Sequence, residues 1–91
     1  MLEINYGSKF KKDYKRVIKR PNHKPELFAQ VVKMLAEEKP LPAKYRDHAL
    51  TGNFIGFREC HILPDWLLIY KVERETLTLV LTRTGSHSDL F

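Results

Sequence analysis

The chain has 91 residues, enough for one compact domain and too few for two, so we expect residues 1–91 to form a single domain. Hydrophobic residues make up 43%, which excludes a disordered chain. The lone cysteine, Cys60, excludes an internal disulfide framework. The N-terminus lacks the apolar stretch of a secretory signal, and the longest apolar run, 66–70, is too short to cross a bilayer. We therefore expect a cytoplasmic protein with no membrane partner.

The charge of the chain is positive and unevenly distributed, with a net value of +5. Residues 1–48 contain twelve Lys and Arg against six Asp and Glu, whereas residues 49–91 contain four against five. Between Lys9 and Lys24, eight basic residues accompany a single acid, Asp13. A field of this sign attracts polyanions, most often nucleic acid. The alternative interpretation is a solvated helix face that keeps the protein soluble.

The first predicted elements are a short strand over 2–6 and two amphipathic helices. Ser8 is a candidate N-cap for a helix from Lys9 to about Lys19, which Pro21 ends. A second helix is predicted to begin at Pro25 and to end before Pro40. Both helices carry an apolar stripe at helical spacing: Phe10, Tyr14, Val17 and Ile18 in the first, and Leu27 or Phe28, Val31 and Leu35 in the second.

After an irregular segment over 40–53, the hydrophobic period changes from 3.6 to 2. This change predicts strands over 56–63, 65–73 and 76–84, joined by short turns that are typical of antiparallel hairpins. The remaining residues, 85–91, are predicted to form a polar tail. The whole pattern predicts an α+β domain with two helices packed on one face of a largely antiparallel sheet. We expect the other face to be uncovered and to carry the functional site.

Several histidines and charged residues of the second half are candidates for acid–base chemistry. Cleavage of RNA through its own 2′-hydroxyl requires a base, an acid for the leaving 5′-oxygen, and cations that hold the charged phosphorane. These residues imply RNA rather than DNA as the substrate only if the 2′-hydroxyl is the nucleophile. Histidine exchanges a proton near neutral pH. The candidate histidines are His48, His61 and His87, with His23 apart from them. The charged residues nearest to them in sequence are Asp65, Arg58, Arg83, Lys44 and Arg46.

Most of these candidates also have a structural interpretation. His48 and Asp65 suit turns, and His61 suits a half-buried strand position. By contrast, no structural role demands an imidazole at His87. Side chains alternate between the two faces of a strand, so Arg83 would share a face with Leu79 and Leu81, which are expected in the core. Either a bulge intervenes before Arg83 or the strand runs past the core at that point.

A metal site is the main chemical rival, because three histidines and Asp65 are residue types that ligate zinc. No pair among them has the tight spacing of a ligand motif such as HxH or HxxxH, so we expect no metal and no cofactor. A Gly-rich phosphate loop and a GxSxG elbow are also missing from the sequence. Phe91 is expected either to seal the edge of the core or to stack on a base.

Four segments carry a resemblance to a known family: RDHALTGN (46–53), GFRECHI (56–62), PDWLLIYK (64–71) and RTGSHSDLF (83–91). Through these blocks, and along its whole length, the chain resembles the YafQ group of RelE-superfamily mRNA interferase toxins. The resemblance implies a RelE-like fold, with two N-terminal helices on a twisted, mainly antiparallel sheet of four or five strands. It also implies a type II toxin that cleaves mRNA in the ribosomal A site and thereby stalls translation.

The resemblance further implies that His48, His61, Asp65 and His87 form an acid–base set and that Arg83 stabilises the phosphate. Our hypothesis assigns a role to each of them. Asp65 or His48 is expected to assist removal of the 2′-hydroxyl proton, and His87 is expected to protonate the 5′-oxygen. Arg83 and His61 are expected to stabilise the phosphorane, while the terminal phenylalanine, Phe91, orients the mRNA. The basic residues expected to grip RNA are Lys9, Lys11, Lys12, Lys15, Arg16, Lys19 and Arg46.

The resemblance implies three partners, namely the ribosome, mRNA and a cognate antitoxin similar to RelB or DinJ. An acidic segment of the antitoxin is expected to fold on binding, either on the basic face or at the catalytic cleft. Two alternatives stay open. The first is a non-catalytic RNA- or ribosome-binding module, and the second is a metal-dependent nuclease.

Overall fold

The computed structural model describes residues 1–91, which form a five-stranded sheet with three helices. The elements are β1 (Glu3–Tyr6), α1 (Ser8–Val17), α2 (Pro25–Ala36), β2 (His48–Ala49), β3 (Arg58–Leu63), β4 (Trp66–Glu73), β5 (Thr78–Gly85) and α3 (His87–Leu90). Single 3-10 turns at Ala43–Tyr45 and Gly52–Phe54 flank β2. None of the helices combines the length and the apolar character needed to cross a membrane.

The sheet has the strand order β1-β5-β4-β3-β2. Strands β2 to β5 form antiparallel pairs, and β1 alone pairs in parallel, with β5. This architecture confirms the predicted α+β class and the mainly antiparallel sheet. The short strand β2 lies within the segment that was predicted to be irregular, because two residues are too few for a detectable alternation.

Helices α1 and α2 cover one face of the sheet, which we call the helix-covered face. The predicted stripes supply the contacts, since Phe10 and Val17 of α1 and Val31 and Leu35 of α2 are buried in the same core. The sheet contributes alternate residues of its central strands to that core: Cys60, Ile62, Trp66, Leu68, Tyr70, Leu79 and Leu81. The fold therefore has one main core between the helices and the sheet.

The start of α1 differs from the prediction, because Gly7 and not Ser8 is the N-cap and no side chain caps the helix. Gly7 donates its backbone N–H to the carbonyl oxygen of Leu81 at 2.9 Å. A Cβ atom at position 7 would lie only 2.8 Å from that oxygen, so the chain can turn from β1 into α1 here only with glycine.

The face opposite the helices, which we call the open face, is only partly uncovered. The predicted polar tail is wrong, because its residues form α3. Ser86 and Asp89 build a capping box in which each side chain accepts a hydrogen bond from the other residue's backbone N–H. The helix places Leu90 against Leu67 and Ile69 of β4, so α3 covers one end of the open face.

Candidate active site

Two histidines and a buried carboxylate meet on the open face. His48 of β2 lies opposite Glu59 of β3 in the sheet register, and His61 lies two residues further along β3, so all three side chains share one face. The Nε2 atoms of His48 and His61 are each 3.6 Å from Oε1 of Glu59. The Glu59 side chain is 7% exposed, and its Oε2 has no hydrogen-bond partner in the protein.

Backbone carbonyls orient both imidazole rings. Nδ1 of His48 lies 2.7 Å from the carbonyl oxygen of Arg46, and Nδ1 of His61 lies 3.2 Å from that of Pro64. A carbonyl oxygen only accepts hydrogen bonds, so each Nδ1 carries a hydrogen and each Nε2 is left to exchange a proton. Arg46 presents its carbonyl from a left-handed conformation with φ +49°. The two rings are thus held with their reactive nitrogens toward one carboxylate.

Arg83 is brought to this side of the sheet by a bulge in β5. In the register Arg83 pairs with Ile69 and Leu81 pairs with Tyr70, so Thr82 is an extra residue that reverses the parity of the strand. The bulge decides the alternative left open by the sequence. Because Ile69 also pairs with Glu59, the Arg83 backbone lies two strands from Glu59, which is about 10 Å.

The Arg83 guanidinium is bound to a buried acid of α1. Nε donates to Oδ2 of Asp13 at 2.6 Å, and Nη2 donates to Oδ1 at 3.2 Å. Asp13 also accepts the backbone N–H of Thr84 at 3.2 Å. The hydrogen bonds to Asp13 raise the pKa of Arg83, against the opposing effect of its partial burial. The Arg83 side chain is 25% exposed, and its Nη1 is not engaged by the protein.

Helix α3 is fixed at the end of β5 by polar contacts. Arg20 donates from Nη1 to Oδ2 of Asp89 at 2.6 Å, and together with the Ser86 N–H it holds the pKa of Asp89 well below its usual range. Gly85 has φ +155°, and a Cβ atom there would lie 2.8 Å from Asp89 Oδ2. Glycine at position 85 therefore allows α3 to fold back against the sheet.

The short helix presents an aromatic pair at the edge of the site. His87 stacks on Phe91 with ring centroids 4.9 Å apart, and Phe91 contacts Phe54 edge-on at 5.7 Å. Phe91 is 54% exposed, so one side of its ring faces solvent. Of the two interpretations of Phe91, this exposure favours a stacking surface for a base over a seal of the core.

The Asp65 side chain, in the turn between β3 and β4, forms no hydrogen bond or ion pair with the other candidates. Its side chain is 79% exposed, and its Oδ1 lies 4.0 Å from Nε2 of the buried His23. His23 stacks on Trp66 of the helix-covered face, with ring centroids 4.4 Å apart and planes 3° apart. Asp65 is connected to the histidine pair only through the backbone, because it follows Pro64, whose carbonyl orients His61.

The basic residues expected to bind RNA are all exposed on α1, just after it, or in the loop beside β2: Lys9, Lys11, Lys12, Lys15, Arg16, Lys19 and Arg46. Asp13, the one acid among them, is buried under Arg83 and also contacts Arg16 at 3.4 Å. The solvent-facing surface of α1 therefore carries only positive charge.

Sequence reasoning missed Glu59 and Asp13 as members of the site. The spacing of Glu59 and His61 at i and i+2 is a signal that could have found Glu59, because such residues share a strand face. No local signal marks Asp13, since its partner is seventy positions away. Cys60 is not a candidate nucleophile, because burial raises the pKa of its thiol. No group of three or more His, Cys, Asp or Glu side chains is arranged to hold a metal ion.

Comparisons with known proteins extend over the full chain. Residues 2–91 match the family model described as a bacterial toxin of type II toxin–antitoxin system, YafQ. The chain is 38% identical to the mRNA interferase toxin YafQ of Escherichia coli K12 over 89 residues, covering 98% of this chain and 95% of that protein. A metal-bound toxin from Helicobacter pylori is 47% identical, with a TM-score of 0.92 and full coverage of both chains.

A further solved structure is that of the E. coli DinJ–YafQ complex, which matches with 37% identity and a TM-score of 0.86, covering 100% of this chain and 99% of that one. Fold, site and comparisons together define the class of protein, a toxin of a bacterial type II toxin–antitoxin system. Within that class, the chain belongs to the YafQ toxin family.

Proposed function

We propose that this chain is an mRNA interferase, a ribosome-dependent endoribonuclease that cuts mRNA in the A site and so stops translation in the cytoplasm. The observation that carries the proposal is the pair of imidazoles that meet at buried Glu59 on the open face, which also bears Arg83 and α3. The E. coli relative is an mRNA interferase toxin. The chemistry that we propose is acid–base catalysis through the 2′-hydroxyl without a metal.

His48 is the side chain best suited to remove the 2′-hydroxyl proton. Its ring is half exposed, at 50% of the side chain, and its Nδ1 hydrogen is engaged by the Arg46 carbonyl, so Nε2, which lies 3.6 Å from Glu59 Oε1, is the nitrogen that would accept the proton. Glu59 then faces the charged ring. Asp65 is the other candidate base, and it fits less well because the imidazole that it contacts, at 4.0 Å, is that of His23 on the helix-covered face.

Arg83 and His61 are proposed to stabilise the phosphorane. Nη1 of Arg83 is available to a phosphate oxygen while Nε and Nη2 stay on Asp13, so the guanidinium is held in place before substrate binds. His61 is only 19% exposed, which suits an electrostatic role more than proton transfer with solvent. His87 is proposed to protonate the 5′-oxygen, and the products are then a 2′,3′-cyclic phosphate and a 5′-hydroxyl.

Phe91 and the basic residues are proposed to position the RNA. The solvent-facing side of the Phe91 ring offers a stacking platform for one base. The cations of α1, together with Arg46 beside His48, provide contacts to ribosomal RNA phosphates. Such contacts release counterions, so association with the ribosome should weaken steeply as the salt concentration rises.

A cognate antitoxin similar to RelB or DinJ is the proposed partner that blocks this activity. The E. coli YafQ is known in a complex with DinJ. The net charge of +5 favours an acidic antitoxin segment, which folds as it binds.

The test uses ribosomes programmed with a defined mRNA, incubated with the protein in the presence and absence of EDTA, followed by mapping of the cut ends. We expect cleavage that persists in EDTA, occurs in the A-site codon and leaves cyclic phosphate and 5′-hydroxyl ends. The same mRNA without ribosomes is the control, and it should remain intact.

Each other outcome contradicts one part of the proposal. Ribosome binding without any cleavage would identify a non-catalytic binding module. Loss of cleavage in EDTA, with recovery on addition of a divalent metal, would identify a metal-dependent nuclease. Equal cleavage of free mRNA would contradict dependence on the ribosome.

A further inference from the structure

Strand β2 carries His48 but has few contacts of its own to hold that side chain in place. It lies at the edge of the sheet and pairs with β3 through two residues only, His48 and Ala49. Half of the His48 side chain is exposed, so packing restrains it only in part. A group that removes a proton must stay within hydrogen-bond reach of it. The position of His48 therefore depends on contacts made outside β2.

The residue before His48 makes such contacts on the opposite side of the sheet. Asp47 turns its side chain to the helix-covered face, where Tyr70 of β4 is part of the main core. The Tyr70 hydroxyl donates to Oδ1 of Asp47 at 2.5 Å, and Nε of Arg58 donates to the same oxygen at 3.3 Å. Arg58 and Tyr70 are partners in the register of β3 and β4. The Asp47 carboxylate is thus bound to both strands that follow β2 in the sheet.

The two groups that donate to Asp47 are suited to hold it. Tyr70 is 2% exposed, so packing in the core locks its ring. Burial, and then the hydrogen bond to Asp47, raise the pKa of Tyr70, so the hydroxyl keeps its hydrogen near neutral pH and remains a donor. The hydrogen bond to Asp47 also raises the pKa of Arg58. A carboxylate that accepts from a guanidinium forms one of the stronger kinds of hydrogen bond in proteins.

An anchor at Asp47 also controls the group that orients the His48 ring. The carbonyl oxygen of Arg46, which lies 2.7 Å from Nδ1 of His48, belongs to the peptide group that joins Arg46 to Asp47. Arg46 has φ +49°, a conformation that a residue with a side chain keeps only where surrounding contacts hold it. Its N–H donates to the carbonyl oxygen of Ala43 at 3.0 Å. The Asp47 side chain supplies the contact on the other side of this peptide group.

We propose that Asp47 is a positioning residue for His48. Its carboxylate, bound by Tyr70 and Arg58, holds the Arg46 carbonyl against Nδ1 of His48. This hydrogen bond keeps the hydrogen of the neutral ring on Nδ1, and Nε2 is then the nitrogen that accepts the 2′-hydroxyl proton. The inference rests on the proposed function, which makes His48 the base. Asp47 acts through His48 and not on the RNA, because its carboxylate lies on the other face of the sheet.

The test measures two quantities for each variant: kcat and KM for cleavage of ribosome-bound mRNA, and the tautomer of the His48 ring in the protein alone. NMR of isotope-labelled imidazole nitrogens, recorded in alkaline buffer where the ring is neutral, distinguishes a hydrogen on Nδ1 from one on Nε2. Asp47→Ala should lower kcat about tenfold with KM unchanged, and the His48 signals should shift from the Nδ1–H form to a mixture of tautomers. Tyr70→Phe removes one of the two donors and should lower kcat about threefold, with a smaller shift in the same direction.

Three controls separate positioning from loss of the fold. Asp47→Asn keeps an oxygen that accepts both hydrogen bonds, so it should recover most of the wild-type kcat and the His48 tautomer. Tyr45→Phe removes a hydroxyl from the 3-10 turn before β2, outside the Asp47 contacts, and should behave as the wild type. The His61 ring is an internal control, because the Pro64 carbonyl orients it and its tautomer should not change. Thermal unfolding of each variant identifies any general loss of stability.

An unchanged His48 tautomer in Asp47→Ala would overturn the proposal, whether or not kcat falls. A rise in KM alone would assign Asp47 to RNA binding and would also overturn it, as would equal changes in the His48 and His61 signals. The tautomer is measured without ribosomes, so the two hypotheses fail separately. If the wild type cleaves nothing while the His48 ring alone responds to Asp47→Ala, the proposed enzymatic function fails and the orienting contact stands. If the wild type cleaves mRNA and the tautomer does not respond, the positioning role fails alone.

Discussion

The two faces of the sheet differ in what they bury. The helix-covered face buries a cluster of fourteen residues, whereas the cluster on the open face has three, Leu67, Ile69 and Leu90. Most of the apolar area removed from water, and hence most of the favourable free energy of folding, therefore lies under α1 and α2. The open face contains the buried carboxylate of Glu59, one oxygen of which has no hydrogen-bond partner in the protein. Such a group costs stability and is typical of a functional site.

The first prediction concerns stability and has the largest expected effect. Leu68→Ala on the helix-covered face should lower the free energy of unfolding by about 2–5 kcal/mol, because the side chain is fully buried and its removal leaves a cavity. Urea denaturation measures this loss. Leu77→Ala, at an exposed position, should change the value by less than about 0.5 kcal/mol. Similar small losses for both variants would contradict the assignment of the main core.

The second prediction concerns catalysis on the open face. His87→Ala should slow cleavage of ribosome-bound mRNA by about 10²–10³-fold and abolish growth inhibition. The side chain is exposed, so the free energy of unfolding should not change. Ser88→Ala, next to it on α3, is the matched control and should cleave normally. Wild-type toxicity of His87→Ala would refute the assigned role.

The third prediction concerns Arg83, which contacts Asp13 of α1 and is proposed to stabilise the phosphorane. Arg83→Ala should abolish toxicity and also lower the free energy of unfolding by about 2 kcal/mol, because Asp13 is left buried without its partner. In the double variant Asp13→Asn/Arg83→Ala, stability should recover while cleavage stays lost. Recovery of cleavage together with stability would show that Arg83 acts only by holding the fold.

The fourth prediction concerns Glu59 as a positioning residue. Glu59→Gln keeps the size of the side chain but removes the charge that both imidazoles face, so kcat for cleavage should fall about tenfold with KM for the programmed ribosome unchanged. The free energy of unfolding should not fall, because the substitution removes a charge that is costly to bury. A change in KM alone would indicate that Glu59 shapes RNA binding and not the chemistry.

The fifth prediction has the smallest effect and concerns the attachment of α3. Asp89→Asn should lower stability by about 0.5–1 kcal/mol at pH 7, because the capping box and the pair with Arg20 are weakened. The pKa of Asp89 is lowered in the folded state, so this contribution is present above the ordinary pKa of 3.8 and is lost as the pH falls below it. The difference between the two proteins should therefore shrink in acid, as measured by urea titrations at several pH values.

The sequence predicted α1, α2 and the three long strands well, because each has a clear periodicity over six or more residues or a proline at its start. Pro25 does begin α2, and Trp66 and Tyr70 are core residues. The capping box of Ser86 and Asp89 was present in the sequence as a recognisable pattern, yet the polar composition of 85–91 concealed it. Strand β2 offered too few residues for any pattern to be detected.

For the candidate site, local sequence indicated the residue types but not their neighbours. The strand positions of Glu59 and His61 imply a shared face, whereas the contact of His48 with Glu59 depends on the pairing of β2 with β3. The bulge at Thr82, which turns Arg83 toward the site, follows from the register of two strands. The pairing of Asp65 with His23 depends on how the loop between α1 and α2 packs on β4.

The sequence by itself determined the class of fold, the basic first helix and the residue types available for acid–base chemistry, because periodicity, composition and charge are properties of short segments. The tertiary structure alone decided that His48 joins His61 at Glu59 and that Asp13 holds Arg83. The contacts of His48 with Glu59 and of Asp13 with Arg83 join residues far apart in the chain, and their geometry depends on strand register and helix packing, which short segments do not encode.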